Sequence, residues 1–232
     1  MPLNLTLDSQ MPQTHTHSSG IRPLARKLVA VGFFVLVCAH ALAEDSPFNR
    51  RELAQGISVE IPSHWVVLSE ASRKNVEART GAITDSAGQT PSKSQTLLAV
   101  NATPAPTGAM IRVSVSPEVE YTAAVLEATS REDLKSIADD ASSKFKALER
   151  DGGIRLVKML GPKVLKVGSR TALLVPYERT SLAGPSNWVV QQHYIPFETH
   201  TVIFTLSYRR SDAALWEPIL GRVRKSIRFE PK

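Results

Sequence analysis

Three histidines, His64, His193 and His200, are the groups in residues 44–232 best suited to proton transfer or metal binding. A zinc centre needs three or four converging ligands, and no two of these stand at the spacing of a helical ligand pair. His193 lies beside Gln191 in a β-rich run and could face a groove, whereas His64 sits in a turn next to Trp65. A serine nucleophile advertises itself by a glycine-flanked elbow or by a lysine one helical turn on. No Gly-x-Ser-x-Gly occurs, Ser92-Lys93 falls in a loop, Ser142-Ser143-Lys144 lies on a solvated helix face, and Ser226 follows Lys225 directly. Paired carboxylates for glycoside chemistry would have to come from Glu118, Glu120, Glu178 and Glu198, which are scattered like ordinary surface acids. Asp139 and Asp140 are neighbours on a helix, so they point about 100° apart and share no site. The residue types therefore predict no catalytic group, no metal site and no cofactor.

The aromatic residues say more. Tyr177, Trp188, Tyr194, Phe204 and Tyr208 all fall in one β-rich region, where alternate side chains share a face. Parity puts Trp188, Val190, Gln192 and Tyr194 on one side of their strand, and Val189, Gln191, His193 and Ile195 on the other. If helices cover both faces of the sheet, these aromatics are core. If one face is bare, Trp188, Gln192 and Tyr194, with His193 beside them, form a candidate binding patch.

The elements that must position these residues follow from periodicity. Ile57, Val59 and Ile61 alternate with polar residues before Pro62-Ser63, a first strand, and Trp65 then caps the core. Ser69 to Gly81 reads as a marginal surface helix with a thin apolar face, and Asp85 to Ser94 has the composition of a mobile loop. Gln95 to Asn101 and Ala109 to Ser116 are strands, while Tyr121 to Ala128 is a short helix or an extended crossing. Ser130, three residues before Asp133, opens the clearest helix, with Leu134, Ile137, Ala138, Ala141, Phe145 and Leu148 on a face expected to be buried. Gly152-Gly153 ends it. Four β-rich runs follow, Ile154 to Val167, Arg170 to Thr180, Asn187 to Phe197 and Thr201 to Arg209, as an antiparallel meander. Pro162, Pro176 and Pro196 belong at bulges, strand ends or edges, because they lack a ladder donor. Ser211-Asp212 then caps a last helix carrying Leu215, Ile219, Leu220 and Val223.

Residues 1–43 read as a cleavable signal peptide: Arg22, Arg26 and Lys27, then an apolar run from Leu28 to Ala39, then Ala41-Leu42-Ala43 as the cleavage site. The run is shorter than the roughly 20 residues of a spanning helix, so no stable membrane span is expected after cleavage. Val35-Leu36-Val37 ahead of Cys38 argues against lipidation, and translation could start at Met1 or Met11. Cleavage removes Cys38, the only cysteine, together with Arg22, Arg26, Lys27 and Asp8, which lowers the formal charge from +6 to +4. The chain left behind is cysteine-free and only mildly basic. It must hold by burial alone in an oxidising compartment, and nothing in it marks a nucleic-acid binder. Arg222, Arg224, Lys225, Arg228 and Lys232 form a local basic excess, either a solvated face or a patch for an anionic partner.

Residues 44–55 read as a flexible arm, and 56–230 as one domain with a mobile insertion around 69–94. The run into Pro62-Ser63-His64-Trp65, the central helix, the hairpin around Gly168, the meander, and a closing helix ending Ser226-Ile227-Arg228-Phe229 make an order that resembles the PsbP/Mog superfamily over about Gly56 to Phe229. The resemblance implies an α+β fold, an antiparallel sheet of six to seven strands between helices. It implies no activity, because members are mostly adaptors or assembly factors. The expectation is an exported, soluble, periplasmic protein that binds a protein or another envelope component. The alternative is a cell-envelope hydrolase whose site assembles from residues distant in sequence.

Overall fold

The computed structural model describes residues 47–86, 93–181 and 184–230. In chain order its elements are β1 (Phe48–Leu53), β2 (Ile57–Pro62), β3 (Val66–Val67), α1 (Glu70–Ser86), β4 (Gln95–Asn101), β5 (Ala109–Ser116), α2 (Ala123–Glu127) and α3 (Arg131–Gly152). They continue as β6 (Leu156–Met159), β7 (Lys163–Val167), β8 (Arg170–Thr180), β9 (Asn187–Pro196), β10 (Thr201–Arg209), α4 (Ala213–Ser226) and β11 (Arg228–Phe229). The expected signal peptide lies outside the described residues, as does most of the expected loop, at 87–92.

The architecture is α+β. An antiparallel sheet in the order β3-β4-β5-β10-β9-β8-β6, with β7 also on β8, has helices against its faces, and a second sheet is ordered β1-β2-β11. The large sheet carries eight strands rather than six or seven. β3 spans two residues and β6 four, too few to show alternation, and the expected run from Ile154 to Val167 is broken at Leu160-Gly161-Pro162 into β6 and β7. Pro176 sits inside β8 without cost to the ladder. Its carbonyl accepts from the Leu160 N–H at 3.0 Å, so its missing donor faces the gap between β6 and β7.

Alternation in β10 assigns the two faces. Val202, Phe204, Leu206 and Tyr208 point into one layer, where Ile111, Val113, Leu98 and Val100 join them. That layer is closed by Ile57, Val59 and Ile61 of β2 and by Trp216, Leu220 and Val223 of α4. Trp65 meets Trp216 edge-to-face at 5.7 Å, as a residue capping the core should. Gly108 makes room for that ring, because a Cβ there would stand 2.8 Å from the Trp216 indole nitrogen.

The flexible arm expected over 44–55 is corrected at Phe48–Leu53, which pairs with β2 along its whole length. Asn49 to Glu52 are exposed, so an edge strand shows no apolar period to read. It is held by side chains: Arg50 donates to Ser58 Oγ at 2.8 Å and reaches Glu60 at 2.9 Å, while Arg222 lies 3.9 Å over the Phe48 ring.

On the other face, α2 and α3 cover the β8 end of the sheet. Leu126, Leu173 and Val175 are buried there, with Leu134, Ile137 and Tyr194 packed against them. The capping box of α3 forms as expected, with Asp133 N–H donating to Ser130 Oγ at 3.1 Å and Ser130 N–H to Asp133 Oδ2 at 2.9 Å. Gly153 ends the helix at φ +68°. Part of the expected insertion, Glu70–Ser86, is helical as α1, and Glu77 accepts from the Thr96 N–H of β4 at 2.6 Å.

Candidate functional site

Between the sheet and the α1–α3 layer the packing is incomplete. The central strands present polar side chains on this face, Arg112, Ser114 and Ser116 on β5, Gln192 on β9, and Thr205 and Ser207 on β10, directly opposite the apolar rows of the main core. Three spaces of about 630, 400 and 260 Å³ lie over them, and Gln192 lines all three. Tyr194 lines two, and its hydroxyl donates to Gln192 Oε1 at 3.1 Å. The walls are amphipathic, with Leu126 and Ile203 at one end and Phe145 and Leu148 at the other. Such a concavity, with apolar ends and a polar floor, has room and hydrogen-bonding groups for a ligand.

Glu118 and Glu120 line the space of about 630 Å³, Asp140 and Lys144 that of about 260 Å³, and the central strands add Arg112. Arg112 stands opposite Thr205 and borders the two larger spaces. Among the described residues its guanidinium makes no hydrogen bond or ion pair. Burial pushes its pKa below the usual arginine value, against the opposing pull of Glu77 and Tyr177. An arginine keeps its proton inside proteins, so the hollow contains a partly desolvated cation. Arg179 adds a second, similarly lowered by burial, whose Nη1 donates to the Thr180 carbonyl at 2.8 Å. Tyr177 and Tyr194, on the same face, have their phenols pushed up by burial and stay neutral donors.

Of the patch read from the sequence, the structure brings Gln192 and Tyr194 together and separates the other two. Trp188 shares their parity but sits at the far end of β9, buried and in register with Arg179 and Arg209, outside the hollow. His193 points to the opposite face. It is fully buried, its Nδ1 donates to the Phe204 carbonyl at 3.0 Å, and its Nε2 has no partner among the described residues. Burial pushes its pKa down to about 4. One residue of strand is a change of face, so His193 belongs to the core and not to the patch. His64 is exposed in its turn, and the His200 ring stacks on Phe197 at 4.6 Å. Among the described residues no three His, Cys, Asp or Glu side chains group as metal ligands.

Sequence reasoning passed over Arg112, Ser114, Thr205 and Ser207. Their signal was present: Ile111 to Ser116 and Phe204 to Tyr208 alternate apolar with polar residues in strands that end up central in the sheet. A central strand with a polar row on one side implies a face that its helices do not seal.

No protein-family model matches the chain, and no curated protein matches it by sequence. Solved structures are similar in fold. Cyanobacterial PsbP from Synechocystis is 10% identical, covering 80% of this chain and 94% of that one at a TM-score of 0.49. LpqN of Mycobacterium tuberculosis, described as involved in cell envelope biogenesis, is 12% identical over 81% of this chain and 88% of its own, at 0.40. The Saccharomyces cerevisiae Ran-binding protein Mog1p is 10% identical over 80% and 96%, at 0.39.

Proposed function

We propose that this chain is an exported periplasmic protein that works by holding another component of the cell envelope, and that the hollow around Gln192 is where it does so. The observation that carries the reading is Arg112, a partly desolvated cation in an amphipathic cavity, with no counter-ion bonded to it among the described residues. Burying a charge without a partner is costly, and a bound anionic or strongly polar group would remove that cost. The address rests on Arg22, Arg26, Lys27, the apolar run and Ala41-Leu42-Ala43. Among the described residues no helix is long and apolar enough to cross a membrane.

A photo-crosslinking residue placed at Ile203, which lines the hollow, tests both parts in the cell, with Val157, exposed on β6, as control. Expected is a discrete mass added at 203 and not at 157, on a chain that begins at Glu44. Equal labelling at both positions, or none at 203, would overturn the binding site; a chain beginning at Met1 or Met11 would overturn the address.

A further inference from the structure

A second concavity, of about 800 Å³, shares no described lining residue with the hollow. One wall is β7 and its turn, the other the end of α4 with β11. Leu165, Lys166, Val167, Gly168 and Ser169 all border it although successive side chains of a strand point to opposite faces, so the cleft runs along the edge of β7 and not over one face. That edge is free: among the described strands β7 pairs only with β8. At the turn Gly168 has φ +57°, and a Cβ there would stand 3.2 Å from the Ile227 carbonyl oxygen, so hairpin and chain end are in contact and fix the spacing of the walls.

Lys163, Lys166, Arg224, Lys225 and Arg228 surround a floor of Leu165, Val167 and Phe229, and no carboxylate is among the described lining residues. Lys166 is held by Glu127 at 3.0 Å, and Arg228 donates to the Lys225 and Ile227 carbonyls. Lys163, Arg224 and Lys225 have no ion pair or side-chain hydrogen bond among the described residues. Cations suit a helix C-terminus, and lysine protects an edge strand from chance pairing. Neither reason explains why the two sets converge on one apolar-floored cleft.

We infer that the cleft receives an extended acidic segment of a partner protein, which adds to β7 as a further strand and sets alternate carboxylates against Lys163, Arg224 and Lys225. The inference is independent of what fills the hollow. A lipid headgroup would satisfy the charges but leave the strand edge unused, and that difference is measurable. The probe is a fluorescein-labelled peptide, Glu-Val-Glu-Val-Glu-Val, added to the exported chain and followed by anisotropy, beside the same peptide N-methylated at alternate residues and beside phosphatidylglycerol vesicles. Expected is saturable binding, weakened about tenfold or more by Lys163→Glu with Lys225→Glu and equally by N-methylation, which deletes ladder donors while keeping charge. Peptide should also slow hydrogen exchange at the Lys163–Val167 amides, a readout that needs no variant to fold. Equal affinity for the N-methylated peptide would overturn strand addition. Binding to vesicles but not to peptide would overturn it in favour of a lipid surface, and no binding to either would overturn the site.

Discussion

Gln192 and His193 are adjacent in the chain and serve opposite layers, one in the hollow and one in the buried core. His193 is the group whose titration the fold opposes most visibly, with a pKa lowered to about 4 against an unfolded value of about 6.5. In that window the unfolded chain binds the extra proton, so stability rises with pH. The contribution is fully present above pH 6.5 and is lost as pH falls toward 4. Removing it with His193→Gln should flatten the fall in stability between pH 6.5 and 4, by on the order of 3 kcal/mol relative to wild type, measured by denaturant unfolding at each pH. Identical slopes for the two proteins would show that His193 protonates freely in the folded state. At this scale the sequence was half legible. Parity separated Gln192 and Tyr194 from His193, but nothing local could tell that Arg112, some 80 positions upstream, completes their site, because strand register is a long-range property.

Elements with a strong local signal formed where expected. Ser130, Asp133 and Gly153 bound α3, and Ile57, Val59 and Ile61 mark β2, because caps and alternation act over a few residues. β1 and β3 were invisible for the opposite reason: an exposed edge and a two-residue bridge are stabilised by partners distant in sequence. Burial also differs from what helical spacing implied at Phe145. It is half-buried beside Tyr177, their rings 4.8 Å apart, on the wall of the hollow, whereas Phe204 of β10 is wholly enclosed. Phe204→Ala should therefore cost about 4 kcal/mol and Phe145→Ala about half that, since truncation beside an existing space creates little new cavity. Equal losses in thermal or denaturant unfolding would mean that the space over Gln192 is closed in solution.

At the largest scale the described residues form a sheet sealed on one face by a second sheet and α4, and left partly unfilled on the other beneath α1–α3. Packing this uneven is uncommon in protein interiors, which hold few voids, and among the described residues it coincides with a place where a cation, two tyrosines and a row of hydroxyls face the same space. The proposed function follows from that coincidence: a ligand carried between sheet and helices. Native mass spectrometry of the chain purified gently from the cells that make it tests this most directly. Expected is a discrete non-protein mass on the wild-type chain, lost in Arg112→Met. A wild-type chain that flies at its bare polypeptide mass, indistinguishable in occupancy from the variant, would contradict it.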